Sequence, residues 1–479
     1  MGNTGYFKNL ISSFASTDKT KLAFTILSEE GMTDISYNKF AEDILRTITF
    51  FKRHNIVGAH IAFVAPTSYD LFVALFSVIS SGNVAVMLNP TLPPEVLKLQ
   101  CEKADAAYVC GNEELLSETF EDVKEIQRIP FSTLRSEKDP VQIEEVNIDQ
   151  PDNTVMLIFT SGTTGKSKVV ELSSSNLSYT AGTLEAHFST GCMDSALSIV
   201  PRYHIGGIKG ALALFQRHKT LYIGRGVRYI FLDAAMLHPN LIFLVPSMVD
   251  NLVKMLKRAK TQEERERIIG KKLERISVGG ASLKVSTARY LMDMGISIDN
   301  GYGLSECSGS ATWALLDQEH IGSIGKPFPG TQCRIENGEI LVKSPAVMKG
   351  YYKDPEETKK VIVNGWLHTG DMGFCDKDGY YYLSGRKKNV IILSNGENIN
   401  PEEIEEAFGN CENIIEALVY SDGKQICADI YSDNQLEAAA YIRRYNDGMP
   451  MDHQVTKINY SNLPLEKTGS GKIKRKECL

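Results

Sequence analysis

The sequence lacks any pair of cysteines at the Cys-x-x-Cys spacing, and its nine cysteines are scattered along 479 residues. Structural zinc sites and disulfide frameworks depend on regular cysteine spacing, so neither is expected. Reduced thiols fit this pattern best, and they favour a cytoplasmic protein.

Long apolar runs and an excess of positive charge are missing as well. The longest membrane-like stretch, Leu71–Ile79, is too short to span a bilayer, and no basic segment followed by a long apolar run opens the chain. We therefore expect no membrane span and no export signal. The 52 basic and 59 acidic residues give a formal net charge of −7, which argues against a broad nucleic-acid surface. An anionic ligand must therefore bind where lysine or arginine side chains are locally concentrated.

What the sequence does contain is typical of a mixed α/β protein. Apolar residues make up 43% and charged residues 23% of the chain. The length exceeds the size at which a single core stops growing, so more than one lobe is expected. Apolar strands at Ile61–Val64 and Val84–Met87 alternate with helical patterns such as Asp70–Ser80. This alternation predicts a parallel sheet.

A polar segment follows the apolar strand predicted at Val155–Phe159. Residues 160–168 read TSGTTGKSK, which places five hydroxyls, two glycines and two lysines in nine residues. Glycines let backbone N–H groups approach an anion, hydroxyls donate to its oxygens and lysines neutralise its charge, so the segment predicts a phosphate site. Only two residues separate Gly162 from Gly165, whereas the GTPase-type loop needs four. A different class of phosphate-binding loop is required.

The segment Phe159–Lys168 resembles the phosphate loop of the adenylate-forming superfamily, whose usual form is Tyr/Phe-Thr-Ser-Gly-Thr-Thr-Gly-x-Pro-Lys-Gly. Three positions depart from the family pattern: Ser167 replaces a proline, Val169 a glycine and Ser174 a histidine. The resemblance nevertheless covers nearly the whole chain. Later segments that resemble family motifs, in the expected order, are PRYHIGG at 201–207, GGASL at 279–283, NGYGLSE at 300–306, WLHTGD at 366–371, GR at 385–386 and LPLEKTGSGK at 463–472.

The resemblance implies an α/β fold in two parts. A large N-terminal domain would contain parallel α/β sheets and a small β-barrel-like part, and a small mobile α+β domain would follow it. We expect the N-terminal domain, with the ATP and acyl sites, over residues 1–385. A hinge at 386–388, centred on Lys388, would connect it to the C-terminal lid domain over 389–479, which carries the catalytic lysine.

The resemblance also assigns ligand-binding roles to individual residues. Tyr302 would pack on adenine, Ser305 would contact the α-phosphate, and Glu306 would bind Mg²⁺, an ion that prefers oxygen ligands. Asp371 and Arg386 would hold the ribose hydroxyls. The residues expected to bind ATP are Thr160, Ser161, Gly162, Thr164, Gly165, Lys166, Lys168, Gly280, Ala281, Ser282, Asn300, Gly301, Tyr302, Gly303, Ser305, Asp371 and Arg386.

Three residues are expected to be catalytic. Lys472 would be delivered from the small domain to the α-phosphate, and Thr163 would be one of the loop hydroxyls that stabilise charge on the phosphate oxygens. His204 resembles the family residue that guards the acyl and thiol passage. After the hinge turns, Gly396 would border the incoming thiol.

These assignments imply an ATP-dependent, AMP-forming ligase that adenylates a fatty or aryl carboxylic acid and transfers the acyl group to coenzyme A (CoA). Mg²⁺ would be the cofactor, with ATP and CoA as co-substrates. Amino acids are disfavoured because no Asp stands near His204 to pair with an ammonium group. Two alternatives remain open: an acyl carrier protein as the thiol acceptor, and a catalytically weakened nucleotide-binding homologue.

Overall fold

The computed structural model describes residues 5–147, 149–160, 167–184, 193–392, 398–467 and 473–475. Its larger part is built on two mainly parallel sheets with helices packed against them, and its C-terminal part carries a small mixed sheet. The predicted fold class is confirmed. No helix in the described ranges is both long enough and apolar enough to cross a membrane.

The predicted alternation of strands and helices forms one sheet with seven strands among the described residues. Five strands run parallel, and the two at one edge are antiparallel. The segment that leads into the phosphate loop, Thr154–Phe159, is the last of the parallel strands before that edge. In spatial order the strands are Gly350–Tyr351, Val169–Ser173, Thr154–Phe159, Val84–Met87, His60–Val64, Ala106–Gly111 and Gln127–Pro130.

A second sheet has nine strands in the part of the chain that the structure describes. Six central strands run parallel, so their carboxyl ends lie at one edge, where ligands usually bind in such sheets. In spatial order the strands are Lys326–Pro327, Thr312–Leu315, Ser297–Tyr302, Arg275–Gly279, Leu241–Leu244, Ser195–Ser198, Thr220–Ile223, Leu22–Ser28 and Gly31–Ser36.

An antiparallel sheet, counted as five strands in the described ranges, corresponds to the predicted β-barrel-like part. Two of its strands, Trp366–Cys375 and Tyr381–Arg386, form what we call the 366–386 hairpin, which carries two predicted ribose ligands. The other strands are Gln332–Glu336, Glu339–Lys343 and Ile362–Val363.

Helices cover both parallel sheets, and several begin at a side-chain cap. Ser36 and Ser68 accept hydrogen bonds from the backbone N–H groups of Lys39 and Leu71, and caps of this kind contribute about 1 kcal/mol each. The α-helices are Tyr6–Ser16, Tyr37–Arg53, Tyr69–Ser80, Pro94–Lys103, Glu113–Phe120, Phe131–Leu134, Ser174–Thr183, Ile205–Gln216, Ile230–Leu237, Pro246–Arg258, Gln262–Ile269, Val285–Asp293, Pro355–Val361, Pro401–Gly409 and Gln435–Asp447. Short 3₁₀ turns lie at Ile143–Glu145, Val227–Tyr229, Ser305–Cys307, Lys387–Asn389 and Met451–His453.

The largest hydrophobic core contains a cluster of buried phenylalanine rings. Phe40 stacks on Phe14 at 5.5 Å between ring centroids and meets Phe24 edge-on at 5.0 Å. Aromatic pairs in these arrangements add about 0.5–1.5 kcal/mol each beyond the burial of their area. This core anchors the helix Ile205–Gln216 through Phe215.

The C-terminal segment has a hydrophobic core of its own. Its three main strands form a mixed sheet with two helices against it, and the buried residues of this core all come from positions 391–455. The separate core agrees with a domain boundary at 386–388, which stays a prediction. The strands of this segment are Ile391–Ile392, Asn398–Ile399, Ile414–Ser421, Ile426–Ser432 and Val455–Ser461.

Candidate active site

The structure brings Tyr302, Asp371 and Arg386 into one hydrogen-bonded group. Asp371 and Arg386 are opposite partners in the 366–386 hairpin, and Arg386 Nε lies 2.6 Å from Asp371 Oδ1. The Tyr302 hydroxyl donates to Asp371 Oδ2 at 2.6 Å. Burial and the neighbouring Asp371 charge raise the pKa of Tyr302, so its hydroxyl stays protonated and donates. Three predicted nucleotide ligands from separate segments therefore meet at one place.

The backbone around Tyr302 is tightly packed and suits only small residues. A side chain at Gly303 would place its Cβ 2.3 Å from the carbonyl carbon of Gly309. Asn300 donates from Nδ2 to the Ser323 carbonyl at 2.8 Å, so its side chain holds the strand in place. Gly301 pairs in register with Gly279 on the parallel neighbouring strand.

That register places the predicted GGASL segment at the same sheet edge as Gly303 and Ser305. Gly280, Ala281 and Ser282 follow the strand end in an exposed turn, and Gly280 has φ +86°, a backbone conformation that favours glycine. The two segments therefore lie side by side at the carboxyl ends of parallel strands.

The predicted metal ligand Glu306 lies beside the end of the phosphate loop. Glu306 Oε1 accepts a hydrogen bond from the Tyr351 hydroxyl at 2.8 Å, and Lys168 Nζ lies 4.6 Å from the centroid of the Tyr351 ring. Lys168 also pairs with Glu357 at 2.8 Å. Burial and the Glu306 charge raise the pKa of Tyr351, which keeps it a donor. A carboxylate here supplies the hard oxygen ligand that Mg²⁺ prefers.

The two ends of the phosphate loop are joined by hydrogen bonds. The Thr160 N–H donates to the Lys168 carbonyl at 2.9 Å, and the Lys168 N–H donates to Thr160 Oγ1 at 3.2 Å. The strands before and after the loop pair antiparallel, with Phe159 opposite Val169. The loop residues between them, Ser161, Gly162, Thr163, Thr164, Gly165 and Lys166, lie outside the described residues.

One departure from the family pattern has a structural reason. Ser174 is 2% exposed, and its hydroxyl donates to Asp149. The same carboxylate accepts the backbone N–H groups of Tyr6 and Phe7, at the start of the first helix. Ser174 therefore belongs to a helix-capping network away from the site.

A cavity of about 370 Å³ lies between Glu306, Lys168 and the strand residues Thr369 and Gly370, which directly precede Asp371. Residues that no motif indicated also line it, among them Glu339, which is 4% exposed. Glu339 accepts from the Gly370 N–H at 2.9 Å and pairs with Lys387 at 2.9 Å; although burial opposes it, these contacts hold the pKa of Glu339 below its usual range. Residues lining the cavity include Lys168, Leu304, Glu306, Glu339, Tyr351, His368, Gly370 and Lys387.

Next to Gly303, the helix Ile205–Gln216 packs against the turn at Gly309. Lys209 donates from Nζ to the Gly309 carbonyl, and a Cβ on Gly309 would lie 3.3 Å from Ile205 Cγ2. Because Gly309 adjoins Gly303, we expect an acyl group to lie here, and we call Ile205, Lys209 and Gly309 the acyl wall. Burial lowers the pKa of Lys209 to about 8.

His204 and Arg202 take different positions near this wall. His204 is the N-cap residue of the helix, is partly buried and lies against Tyr203, with ring centroids 4.6 Å apart. Arg202 is 2% exposed, donates to the Gly207 carbonyl and lies over the Phe72 ring at 5.2 Å. Of the two cations in this region, Arg202 therefore belongs to the core and Lys209 to the acyl wall.

The predicted C-terminal site residues fall mostly outside the described ranges. Lys388 lies in the 3₁₀ turn Lys387–Asn389 directly after Arg386. Gly396 and Lys472 are outside the described residues. Lys467 and Ile473, on either side of the Lys472 segment, pair as an antiparallel bridge.

Comparison with known proteins identifies the family. The model of the AMP-binding enzyme family matches residues 13–352. The chain belongs to the AMP-binding enzyme family, as the motifs predicted.

Curated relatives are ligases that form thioesters with CoA. A 2-succinylbenzoate–CoA ligase of Oceanobacillus iheyensis is 28% identical over 411 residues, which cover 81% of this chain and 82% of the relative. A 2-succinylbenzoate–CoA ligase of Bacillus cereus is 29% identical over 438 residues, with 85% and 83% covered.

Solved structures share the fold. The o-succinylbenzoate CoA synthetase (MenE) of Bacillus subtilis, in complex with its acyl-adenylate intermediate, has a TM-score of 0.85 at 22% identity, and the match covers 97% of this chain and 96% of that one. The anthranilate CoA ligase AuaEII in complex with anthranoyl-AMP has a TM-score of 0.87 at 16% identity, with 99% and 96% covered.

Proposed function

We propose that this protein is an AMP-forming acid–thiol ligase that activates an aryl carboxylic acid with ATP and transfers the acyl group to CoA. The observation that carries the proposal is the hydrogen-bonded group of Tyr302, Asp371 and Arg386, next to a cavity that Glu306, Lys168 and Gly370 line together. The predicted enzyme class, with ATP, Mg²⁺ and CoA, is confirmed by the family and by the relatives, which are CoA ligases.

The chain's own residues would act mainly by positioning and by charge stabilisation. The carboxylate of the acid attacks the α-phosphorus of ATP, and pyrophosphate leaves. The acyl group then carries AMP as its leaving group, whereas oxide, the leaving group of a free carboxylate, leaves poorly. Asp371 and Arg386 would hold the ribose, and Lys168 would lie beside the phosphates. Mg²⁺ held by Glu306 would neutralise part of the phosphate charge. Lys472 would stabilise the charge that develops on the phosphate oxygens, so no protein nucleophile is required.

The second half-reaction, transfer of the acyl group to the thiol of CoA, would take place in the same active site. The CoA sulfur attacks the acyl carbon of the adenylate, the carbon–oxygen bond to AMP breaks, and AMP leaves. We propose that a turn about Lys388 removes Lys472 and brings Gly396 to the thiol path. The side chain of Lys388 is exposed, and the 3₁₀ turn holding it joins two separate hydrophobic cores, which supports a hinge at this position.

For the acid, we propose an aromatic substrate that carries a second carboxylate, as 2-succinylbenzoate does. Lys209 is a partly buried cation of the acyl wall, and among the described residues its Nζ donates to the Gly309 carbonyl and lies 5.5 Å from the Phe328 ring centroid. A buried ammonium is costly unless it is paired. A substrate carboxylate would supply the missing negative charge.

The protonation state of Lys209 should make the KM for a dicarboxylic acid depend on pH. Its pKa is lowered to about 8, so the amine is protonated below that pH and loses its charge as the pH rises. We expect the KM for a dicarboxylic aryl acid to rise about tenfold between pH 7 and pH 9. Lys209→Met should raise that KM by about 10–100-fold at pH 7 and remove the pH dependence, because a charge-assisted hydrogen bond is lost.

The control is a monocarboxylic aryl acid such as benzoate, measured with both proteins. Its KM should change little with Lys209→Met or with pH, since it has no second carboxylate to pair. Equal losses for the mono- and dicarboxylic acids would show that Lys209 is merely structural.

The substrate class is tested by pyrophosphate release with ATP and Mg²⁺ against 2-succinylbenzoate, benzoate and a fatty acid, each with and without CoA. We expect the highest CoA-dependent turnover with 2-succinylbenzoate. Turnover that needs an acyl carrier protein instead of CoA would favour the carrier-loading alternative. No release with any acid, while ATP still binds, would favour a catalytically weakened homologue.

The segment 463–472, which we call the lysine loop because it ends at Lys472, is followed by an ion-pair cluster around Arg475 that should affect adenylation. Arg475 Nη2 lies 2.6 Å from Glu405 Oε2 and 3.0 Å from Glu402 Oε1, and Arg475 Nη1 donates to the Val419 carbonyl. Burial raises the pKa of Glu405 to about 7, and pairing with Arg475 opposes this rise.

Because Arg475 stands three residues after Lys472, we expect Arg475→Ala to lower the adenylation rate by about tenfold, the scale of one lost charge-assisted contact. The thiol step, measured with preformed acyl-adenylate, should be nearly unchanged. Arg444→Ala, on an exposed helix face of the same domain, is the matched control. If Arg475→Ala slowed both half-reactions equally, a specific effect on the lysine loop would be excluded.

We also propose a cytoplasmic location, where ATP and CoA are supplied. Seven cysteines in the described ranges are free, and five of them are buried, which agrees with a reducing compartment.

A further inference from the structure

A group of metal-ligand side chains lies outside the active site. The loop after the strand Thr312–Leu315 carries Glu319 and His320, and the turn of the 366–386 hairpin carries Asp378. One ligand atom from each of these three residues lies within 4.8 Å of the others. Glu319 and Asp378 are exposed, whereas His320 is only 9% exposed.

The His320 ring is held in one orientation. Its Nδ1 lies 3.0 Å and 3.2 Å from the two carboxylate oxygens of Asp317, so Nδ1 is the donor nitrogen. The ring also stacks on Tyr380 at 3.7 Å between centroids, with 13° between the planes. Fixing Nδ1–H as the donor leaves the lone pair of the neutral ring on Nε2.

Nε2 is the nitrogen that needs a partner. It is buried and has no hydrogen-bond partner among the residues that the structure describes. Asp378 Oδ2 lies 3.7 Å away, too far for a hydrogen bond. A buried imidazole nitrogen without a partner is costly, and this one faces the Asp378 carboxylate, with Glu319 in the same group of ligand side chains.

We propose that Glu319, His320 and Asp378 bind a divalent transition-metal ion such as Zn²⁺. With bond lengths of about 2.0–2.2 Å, two ligands of a tetrahedral zinc ion lie about 3.4 Å apart, close to the 3.7 Å between Nε2 and Asp378 Oδ2. The exposed Glu319 carboxylate reaches the ion by rotating its side chain, and water completes the coordination. An imidazole ligand favours zinc over magnesium.

Asp317 has the position of a supporting residue for this site. Ligand histidines commonly donate their other ring N–H to a carboxylate, which fixes the tautomer and raises the basicity of the ligand nitrogen. Asp317 accepts that hydrogen bond, and it also accepts the backbone N–H of His320. Asp317 and His320 therefore form a carboxylate–histidine pair, in which Nδ1 donates to Asp317 and Nε2 faces Asp378.

The ion would join two segments that lead into the nucleotide site. On one side, the loop continues to Ser323, whose carbonyl accepts from Asn300. On the other, Asp378 lies in the turn of the hairpin that carries Asp371 and Arg386. The site is thus a structural clamp that stabilises the hairpin, separate from the Mg²⁺ ligand Glu306.

The test is zinc binding by the full-length protein after chelator treatment, measured by calorimetry in the presence of excess Mg²⁺. We expect one zinc ion per chain and a rise in Tm when zinc is added. Asp378→Asn and Glu319→Gln, both at exposed positions that should not disturb folding, should each weaken binding by at least about tenfold. Asp317→Asn should weaken it by about 10–100-fold.

Glu356→Gln is the matched control, because Glu356 is an exposed carboxylate that pairs with Lys359 in its own helix. It should bind zinc like the parent protein. Substituting Co²⁺ should give a spectrum of nitrogen and oxygen ligands without a thiolate charge-transfer band. The proposal is overturned if zinc does not bind, if Asp378→Asn and Glu319→Gln bind it unchanged, or if a thiolate band shows that a cysteine such as Cys375 is the ligand.

Discussion

Replacing Lys472 with alanine is expected to lower the rate of acyl-adenylate formation by about 100–1000-fold, the usual loss when one preorganised charge-stabilising donor is removed. The developing charge on the α-phosphate would lose the cation that the small domain delivers. Reaction of a preformed acyl-adenylate with CoA should stay within about twofold, because Lys472 is not needed once pyrophosphate has left. Single-turnover measurements of the two half-reactions separate these effects.

Lys474→Ala is the matched control for this prediction. Lys474 stands two residues further along, is exposed and pairs with Glu466. Its loss should change neither half-reaction by more than about twofold, since exposed ion pairs contribute little. If Lys472→Ala impaired both half-reactions to the same extent, or neither, the assignment of Lys472 to adenylation would be wrong.

Replacing Asp371 with asparagine is expected to raise the KM for ATP by about 10–100-fold, with a smaller change in kcat. The carboxylate is 5% exposed, pairs with Arg386 at 2.6 Å and accepts from Tyr302 at 2.6 Å. Asparagine keeps the size of the side chain but loses the charge, and hydrogen bonds to charged groups contribute about 1.5–3 kcal/mol. The assay is pyrophosphate release at varied ATP concentration.

The melting temperature of the same variant must be compared with that of the parent protein, because Asp371 is buried. Glu336→Gln is the control: Glu336 is an exposed residue of the same antiparallel sheet and pairs with Arg334. A lower Tm together with an unchanged KM for ATP would mean that Asp371 only stabilises the hairpin.

The sequence predicted the parts of the fold that depend on local apolar patterns. The strand predicted at Ile61–Val64 is His60–Val64, and the helix predicted at Asp70–Ser80 is Tyr69–Ser80. These elements are almost wholly buried, so continuous apolar runs marked them clearly. The phosphate-loop motif was likewise local, and the strand before it is present at Thr154–Phe159.

Contacts between distant segments could not be read from such patterns. The pairing of Asp371 with Arg386 depends on the register of the hairpin, which shifts by a bulge between Met372 and Gly373. The partner of Glu306 is Tyr351, which lies 45 residues away and outside every motif. The resemblance to the family indicated which residues belong to the candidate site, but only the fold shows which of them are in contact.

Lys209 and Arg202 illustrate the same limit. They are seven residues apart and both carry a positive charge, so sequence alone could not separate their roles. The guanidinium of Arg202 lies over Phe72 inside the core, and the amine of Lys209 contacts the Gly309 turn. The difference arises because Arg202 precedes the helix Ile205–Gln216 and is buried in the core, whereas Lys209 lies on that helix and faces the Gly309 turn.

The most direct test of the proposed function is product analysis after the protein reacts with ATP, Mg²⁺, 2-succinylbenzoate and CoA. An AMP-forming ligase must give AMP, pyrophosphate and the acyl-CoA thioester in equal amounts, and the thioester should be absent without ATP. Formation of ADP and phosphate, or AMP without any thioester, would contradict it.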